Sequence, residues 1–210
     1  MRILITAGPT REYFDSVRFI SNPSSGKMGY ALAVEAARRG HVVTLISGPV
    51  ALPEPNGVNM MLVTSAKEMF DASVSSFADC DAAILTAAVC DYRPARRLDR
   101  KLQKRNCIRT VELEPTDDIC AHLGQIKERR VVIGFAMEDH DHRAHAQAKL
   151  ERKRCDAVVL NGPENVGADQ ASVEILRADA GWSAPVAGSK TRIAGVVLDL
   201  VETLARCVDA

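Results

Sequence analysis

Apolar and polar positions follow two rhythms along this chain. Unbroken apolar runs at residues 2–7 (RILITA), 42–46, 58–63, 81–86, 130–135 and 156–160 have the length of strands buried on both faces. Between them lie stretches with helical spacing. One covers 30–37, a second is capped by Ser65 and runs through Met69 toward Phe77, and a third, largely polar, covers 140–154. Strands and helices alternating at this spacing predict a parallel, doubly wound sheet. The C-terminal part departs from the rhythm. Residues 173–176 and 182–186 read as a hairpin, and a closing helix runs from Arg192 to about Arg206. The expected fold is therefore α/β, a Rossmann-like doubly wound and mostly parallel sheet with a C-terminal β-hairpin and helix. One domain is expected over 1–210, with an irregular insertion near 92–112.

The first strand and first helix enclose the segment SNPSSGKMG at 21–29. Unpaired N–H groups at a helix start, together with the helix dipole, favour an anion there. The segment predicts a phosphorylated ligand, with Ser24, Ser25 and Gly26 as donors. The alternative is a surface turn leading into an ordinary helix cap. The loop matches neither common nucleotide fingerprint. A phosphate-loop motif needs Gly and Ser or Thr where Ser21 and Met28 stand, and Gly8 is followed by Pro9 and Thr10 instead of continuing G-x-G-x-x-G. The second strand runs into Ser47, Gly48 and Pro49, with no acid to hold a ribose. A nicotinamide oxidoreductase is disfavoured on both counts. Ligands in such sheets lie beyond the carboxyl ends of the strands. Chemistry-bearing residues do follow the strands, at 8–10 with 21–29, at AAVCDYRP (87–94) and at GFAME (134–138).

Composition narrows the picture slightly. The chain has 210 residues, enough for one substantial α/β domain, and its 27 Lys and Arg balance its 27 Asp and Glu, so no general pull toward nucleic acid exists. No apolar run reaches membrane-spanning length, and Met1 and Arg2 lead into a strand instead of a secretory signal. The six cysteines are scattered without a C-x-x-C pair, as expected of reduced thiols in a cytoplasmic protein, not a disulfide framework or zinc site. His140, His142 and His145 share no helix face, so the segment 138–145 (EDHDHRAH) reads as a solvated helix start instead of a metal site. Cys90 lies among the candidate residues without needing a nucleophilic role.

Taken together, ITAGPTRE (5–12), SNPSSGKMG (21–29), AAVCDYRP (87–94), KLQK (101–104), GFAMED (134–139) and KLERK (149–153) with Asp156 resemble the phosphopantothenoylcysteine synthetase (phosphopantothenate–cysteine ligase) family, bacterial CTP-dependent type. The likeness spans roughly residues 3–160. It implies a ligase of coenzyme A biosynthesis that uses CTP and Mg2+. CTP would activate 4′-phosphopantothenate as an acyl-cytidylate with release of pyrophosphate, and L-cysteine would then displace CMP.

The resemblance also implies roles. Asn22 would be the catalytic amide that orients the acyl carbonyl. Lys101 would serve catalysis and nucleotide binding, with Lys149 and Lys153 neutralising the triphosphate from one helix face. Leu85, Thr86 and Ala87 would line the base through main-chain groups. Asp91 would meet the ribose or magnesium, Asp117, Asp118, Ile119 and Cys120 would lie near the base, and Phe135 would pack on the nucleotide. The metal ligands are left open, as is which phosphate the Ser-Ser-Gly loop holds. Two positions depart from the family pattern: Gln103 replaces a lysine and Asp117 a proline. They motivate an alternative, a non-catalytic nucleotide-binding or regulatory module. A mobile lid is expected at about 92–109, bringing Lys101 to the nucleotide. The family further implies a homodimer. The flavin-dependent decarboxylase half that precedes this unit in many relatives is expected to be absent from the chain.

Overall fold

A computed structural model describes residues 1–138 and 140–208. In chain order these form β1 (Arg2–Ala7), β2 (Arg11–Tyr13), β3 (Phe19–Ser21), α1 (Lys27–Arg38), β4 (Val42–Ser47), β5 (Val58–Leu62), α2 (Ala66–Phe77), β6 (Ala82–Leu85), β7 (Tyr92–Pro94) and β8 (Leu113–Pro115). There follow α3 (Ile119–Ile126), β9 (Val131–Met137), α4 (His142–Arg152), β10 (Ala157–Asn161), β11 (Gln170–Arg177), β12 (Gly181–Trp182), β13 (Val186–Ser189) and α5 (Lys190–Val208). The parallel part of the main sheet runs β5-β4-β1-β6-β9-β10, and antiparallel β11 continues it. Chain order reverses between β1 and β6, and that reversal opens a crevice beyond the strand ends.

Side-chain alternation explains the unbroken apolar runs. On β1, Ile3 and Ile5 pack into the layer that contains Leu32 and Ala36 of α1 and Ile193 and Val197 of α5. Leu4 faces the opposite layer, with Met69 of α2, Leu123 of α3 and Leu150 of α4. Both faces are covered, so residues 3–5 are apolar without a break, and the polar Arg2 and Thr6 stand toward the strand's ends. α2 begins at the expected cap, Ser65, and the structure adds a capping box: Ser65 Oγ accepts from the Glu68 amide at 3.2 Å, and Glu68 Oε2 accepts from the Ser65 amide at 3.3 Å.

Several elements differ from the sequence expectation. α1 starts at Lys27, three residues before its apolar face. Gly26 turns the chain at φ 75°, and Gly29 lets the helix approach β1 so closely that a Cβ there would lie 2.4 Å from Ala7 Cβ. Neither residue carries an apolar signal. α3 was not expected, because eight residues offer scarcely two turns of periodicity. The expected second hairpin strand is split. Ser183 to Pro185 separate β12 from β13 and lie opposite only Glu174 and Ile175, a bulge at a proline that lacks a donor. Two small antiparallel ribbons, β2 with β3 and β7 with β8, flank the main sheet. The second brackets the irregular insertion. Among the described residues, no helix is long and apolar enough to cross a membrane.

Candidate functional site

A cleft of about 740 Å³ opens over the carboxyl ends of β1, β6, β9 and β10. One wall is the loop 22–29. Ser21 Oγ donates to the Thr10 carbonyl at 2.7 Å and roots the loop. Asn22 Nδ2 donates to the carbonyls of Ala88 and Val89, each at 3.1 Å, and so ties this loop to the one after β6. The Ser24 amide bonds the Asn22 carbonyl at 2.9 Å. The left-handed Gly26 brings no side chain to cap α1. The amides of the first turn of α1 therefore meet the cleft without a protein acceptor from the helix itself, which suits an anion.

Leu85, Thr86 and Ala87 form the floor. Thr86 Oγ1 donates to the Thr6 carbonyl at 2.7 Å, and the Ala87 amide reaches Thr6 Oγ1 at 3.3 Å. These bonds lock the strand ends at the crossover. Asp91 is exposed at the rim. Cys90 is buried beneath it, with its amide bonded to Thr10 Oγ1 at 2.9 Å.

The opposite wall carries charge. Asp118 caps α3 through the Ala121 amide at 3.0 Å, and its other oxygen lies 3.0 Å from Lys153 Nζ. Burial pushes the Asp118 carboxyl up, but the Ala121 amide and Lys153 outweigh it and leave it below the usual carboxylate range. Lys149 is largely buried and donates to the Phe135 carbonyl at 2.5 Å. Loss of water around its ammonium, reinforced by repulsion from Lys153, holds its pKa below that of an ordinary lysine. Such a cation gains charge stabilisation when an anion arrives. Phe135 is half-buried, one side on the core and one on the cleft.

Of the site residues that the resemblance implies, all but Lys101 line this cleft. Lys101 lies in a separate shallow hollow with Arg96, Arg100, Arg105 and Arg109. The segment is also more anchored than a free lid would be. The Leu102 amide donates to Asp15 at 3.0 Å, Arg18 Nη2 donates to the Leu102 carbonyl at 2.6 Å, and the Leu98 amide bonds the Phe14 carbonyl at 3.0 Å. Asp15 can grip the chain because its carboxylate is buried. Desolvation works against its charge, yet amides of Arg18, Leu102 and Val17 hold its pKa far below normal.

Sequence reasoning missed the far end of the cleft, where Asn161, Asn165, Lys27 and Lys190 stand. Asn161 Oδ1 is buried without a hydrogen bond among the described residues, so it can accept from a ligand. Burial, then Lys27, lowers the pKa of Lys190, whose Nζ donates to the Asn165 carbonyl at 3.2 Å. Asn161 ends the last parallel strand, so the strand-end rule could have found it. Lys190 had no signal, since it reaches the cleft only through the packing of α5. The cleft also takes in Glu138 and His145, which pair at 3.1 Å, while Asp139 lies outside the described residues. Among the described residues, no group of three or more His, Cys, Asp or Glu could hold a metal.

Comparison with known proteins follows this geometry. The family model described as DNA/pantothenate metabolism flavoprotein C-terminal domain matches residues 1–204. The chain is 47% identical to a cysteine/cysteine sulfinic acid decarboxylase of an unknown prokaryotic organism, over 80% of this chain and 47% of that protein. It is 41% identical to the coenzyme A biosynthesis bifunctional protein CoaBC of Mycobacterium bovis, over 98% of this chain and 53% of that one. The crystal structure of the C-terminal domain of a coenzyme A biosynthesis bifunctional protein CoaBC superposes with a TM-score of 0.83 at 38% identity, covering 98% of this chain and 95% of the other. The chain thus spans about half the length of the curated relatives it matches.

Proposed function

The chain belongs to the DNA/pantothenate metabolism flavoprotein C-terminal domain family, and from that premise we propose that it is a phosphopantothenate–cysteine ligase acting in coenzyme A biosynthesis. In this reading residues 1–210 act as one ligase domain, with CTP, 4′-phosphopantothenate and L-cysteine as substrates. One observation carries the proposal. The residues from Asn22 to Lys153 that the family resemblance implicates, Lys101 excepted, line a single cleft at the crossover of the sheet.

The chemistry needs two things from the protein. A carboxylate must approach a triphosphate, and both are negative. Lys149 and Lys153 on one wall and the uncapped start of α1 on the other offset that repulsion. Ser24, Ser25 and Gly26 supply phosphate donors, and main-chain groups of 85–87 meet the cytosine. A magnesium ion would neutralise phosphate charge; the donor set fits one that enters with the nucleotide and takes Asp91 as its protein ligand, as such ions keep most of their water and phosphate ligands. In the second step the cysteine amine attacks the acyl carbon. Asn22 has both amide hydrogens committed to Ala88 and Val89. Its Oδ1 therefore accepts from the incoming amine, while backbone amides stabilise the charge on the carbonyl oxygen.

Lys101 enters by movement of the 92–109 segment, which must release Leu102 from Asp15 and Arg18. Exposed Val17, with Phe19 and Ile20 of β3, and Tyr92 and Leu113 of the β7–β8 ribbon, are apolar side chains suited to homodimer contact. Light scattering on wild type and Phe19→Asp tests that association. The displaced Lys101 favours the second reading, a cleft that binds nucleotide without turnover. Pyrophosphate release separates the two. With magnesium, CTP and 4′-phosphopantothenate, the ligase releases pyrophosphate and, once cysteine is added, sustains amide formation. Tight CTP binding without release supports the module, and release with ATP alone overturns the choice of CTP.

A further inference from the structure

Cys120 and Cys155 are 35 residues apart in sequence, and their sulfurs lie 3.3 Å apart in the fold. Both are buried free thiols. Cys120 stands in the first turn of α3 and lines the cleft, whereas Cys155 lies behind it in the turn between α4 and β10. Gly134 of β9 makes room for them. A Cβ at that position would sit 3.3 Å from Cys155 Sγ, 3.4 Å from Cys120 Sγ and 3.7 Å from Lys149 Cε.

The two sulfurs are not equivalent. The contact between the two sulfurs lowers the pKa of Cys120, and Lys149, Lys153 and the helix N-terminus act in the same direction. The same contact, with burial, pushes Cys155 up. The sulfur that faces the cleft is thus the readier of the two to ionise, with a second thiol at its back. A nucleophile with a resolving partner is the arrangement that dithiol exchange requires.

We propose that Cys120 and Cys155 are a reversible disulfide site on the cleft wall, which takes small organic disulfides as oxidant and weakens nucleotide binding when closed. Cys120 thiolate attacks one sulfur of the small disulfide, whose S–S bond breaks and releases one thiolate. That thiolate takes up the proton Cys120 had shed. Cys155 then attacks the mixed disulfide on Cys120, and its proton leaves with the second small thiol. Two protein thiols and one small disulfide thus become one protein disulfide and two small thiols. Cystine is a suitable oxidant, being the disulfide of the amino acid proposed as substrate.

Closure acts on the cleft through the start of α3. A disulfide needs a sulfur separation of about 2.05 Å, so the first turn of α3 must shift toward Cys155. That turn includes the cap of Asp118, which pairs with Lys153. That shift draws Asp118 and Lys153 out of place and weakens the hold on a triphosphate. The coupling rests on the nucleotide reading of the cleft; the disulfide itself does not.

The test uses the full chain with Cys107→Ser and Cys207→Ser, which removes the exposed thiols. After treatment with cystine, intact mass and peptide mapping should show loss of two hydrogens and a Cys120–Cys155 linked peptide, reversed by a dithiol reductant. Cys155→Ala should stop at a mixed disulfide on Cys120. CTP binding by calorimetry should weaken about tenfold on closure, the scale of one lost charged hydrogen bond, and recover on reduction. Both thiols remaining alkylatable after cystine would overturn the site. A linked peptide with unchanged CTP affinity would overturn the coupling. Failure of the reduced protein to bind CTP would refute the nucleotide reading and the coupling with it, leaving the mass result to decide the disulfide.

Discussion

Asn22 Nδ2 donates to the carbonyl oxygen of Ala88 at 3.1 Å, a bond between residues 66 positions apart that joins the loop before α1 to the loop after β6. The same nitrogen serves Val89 at 3.1 Å. Asn22 is therefore held by its donor half and presents its acceptor half. Asn22→Ala should slow amide formation about 100-fold, the scale of one preorganised polar group in a transition state, while pyrophosphate release falls less. Comparing pyrophosphate with amide product in single turnover checks this. An equal loss in both steps would contradict the acceptor role.

Lys149 sets an alkaline limit. Its pKa is depressed, so its cation is lost as pH rises through a value below the ordinary lysine range of about 10.4. A bound triphosphate favours the charged form and raises that pKa. CTP affinity should thus be level at neutral pH and fall with rising pH, starting at the pKa of the free protein. Lys149→Arg keeps its charge and should abolish the decline. Calorimetric titration across the alkaline range reads both.

Gly29→Ala should destabilise the protein despite better helix propensity. The added carbon would fall 2.4 Å from Ala7 Cβ, 2.8 Å from Thr86 Oγ1 and 3.1 Å from Ala7 Cα. Overpacking costs about 1–3 kcal/mol, against at most about 1 kcal/mol from propensity, which counts for little in a first turn. A lower midpoint in urea is expected. CTP binding should weaken too, since relief comes by pushing α1 away from the strand end.

The segment at 92–109 should respond to nucleotide. Limited proteolysis should cut between Arg96 and Arg109 in the free protein, and CTP with 4′-phosphopantothenate should slow cleavage as Lys101 moves inward. Asp15→Asn weakens the grip on Leu102 and should speed cleavage of the free form. Cleavage at the same rate with and without ligands would count against movement of this segment.

Much of the fold was legible because both faces of the sheet are covered. Burial on two sides turns β1, β4, β6, β9 and β10 into apolar runs, and a run needs no partner to be recognised. The Ser65 cap was readable for a similar reason, as a cap lies within one turn of its helix. The short ribbons β2–β3 and β7–β8 escaped notice. Strands of three residues show no period, so neither ribbon leaves a pattern to read. At the site, residues following strands were found, while Lys190 was not, because α5 delivers it from the other end of the chain.

By itself the sequence determined the alternation of strand and helix, and the motif residues that gather beyond the strand ends. Each of these is written in local spacing and residue type. The tertiary structure alone decided which groups touch. It committed the amino group of Asn22 to Ala88, held Leu102 and so Lys101 away from the cleft, and brought Cys120 within 3.3 Å of Cys155. Such contacts join residues tens of positions apart, and their geometry comes from how helices pack on the sheet, which local pattern does not encode.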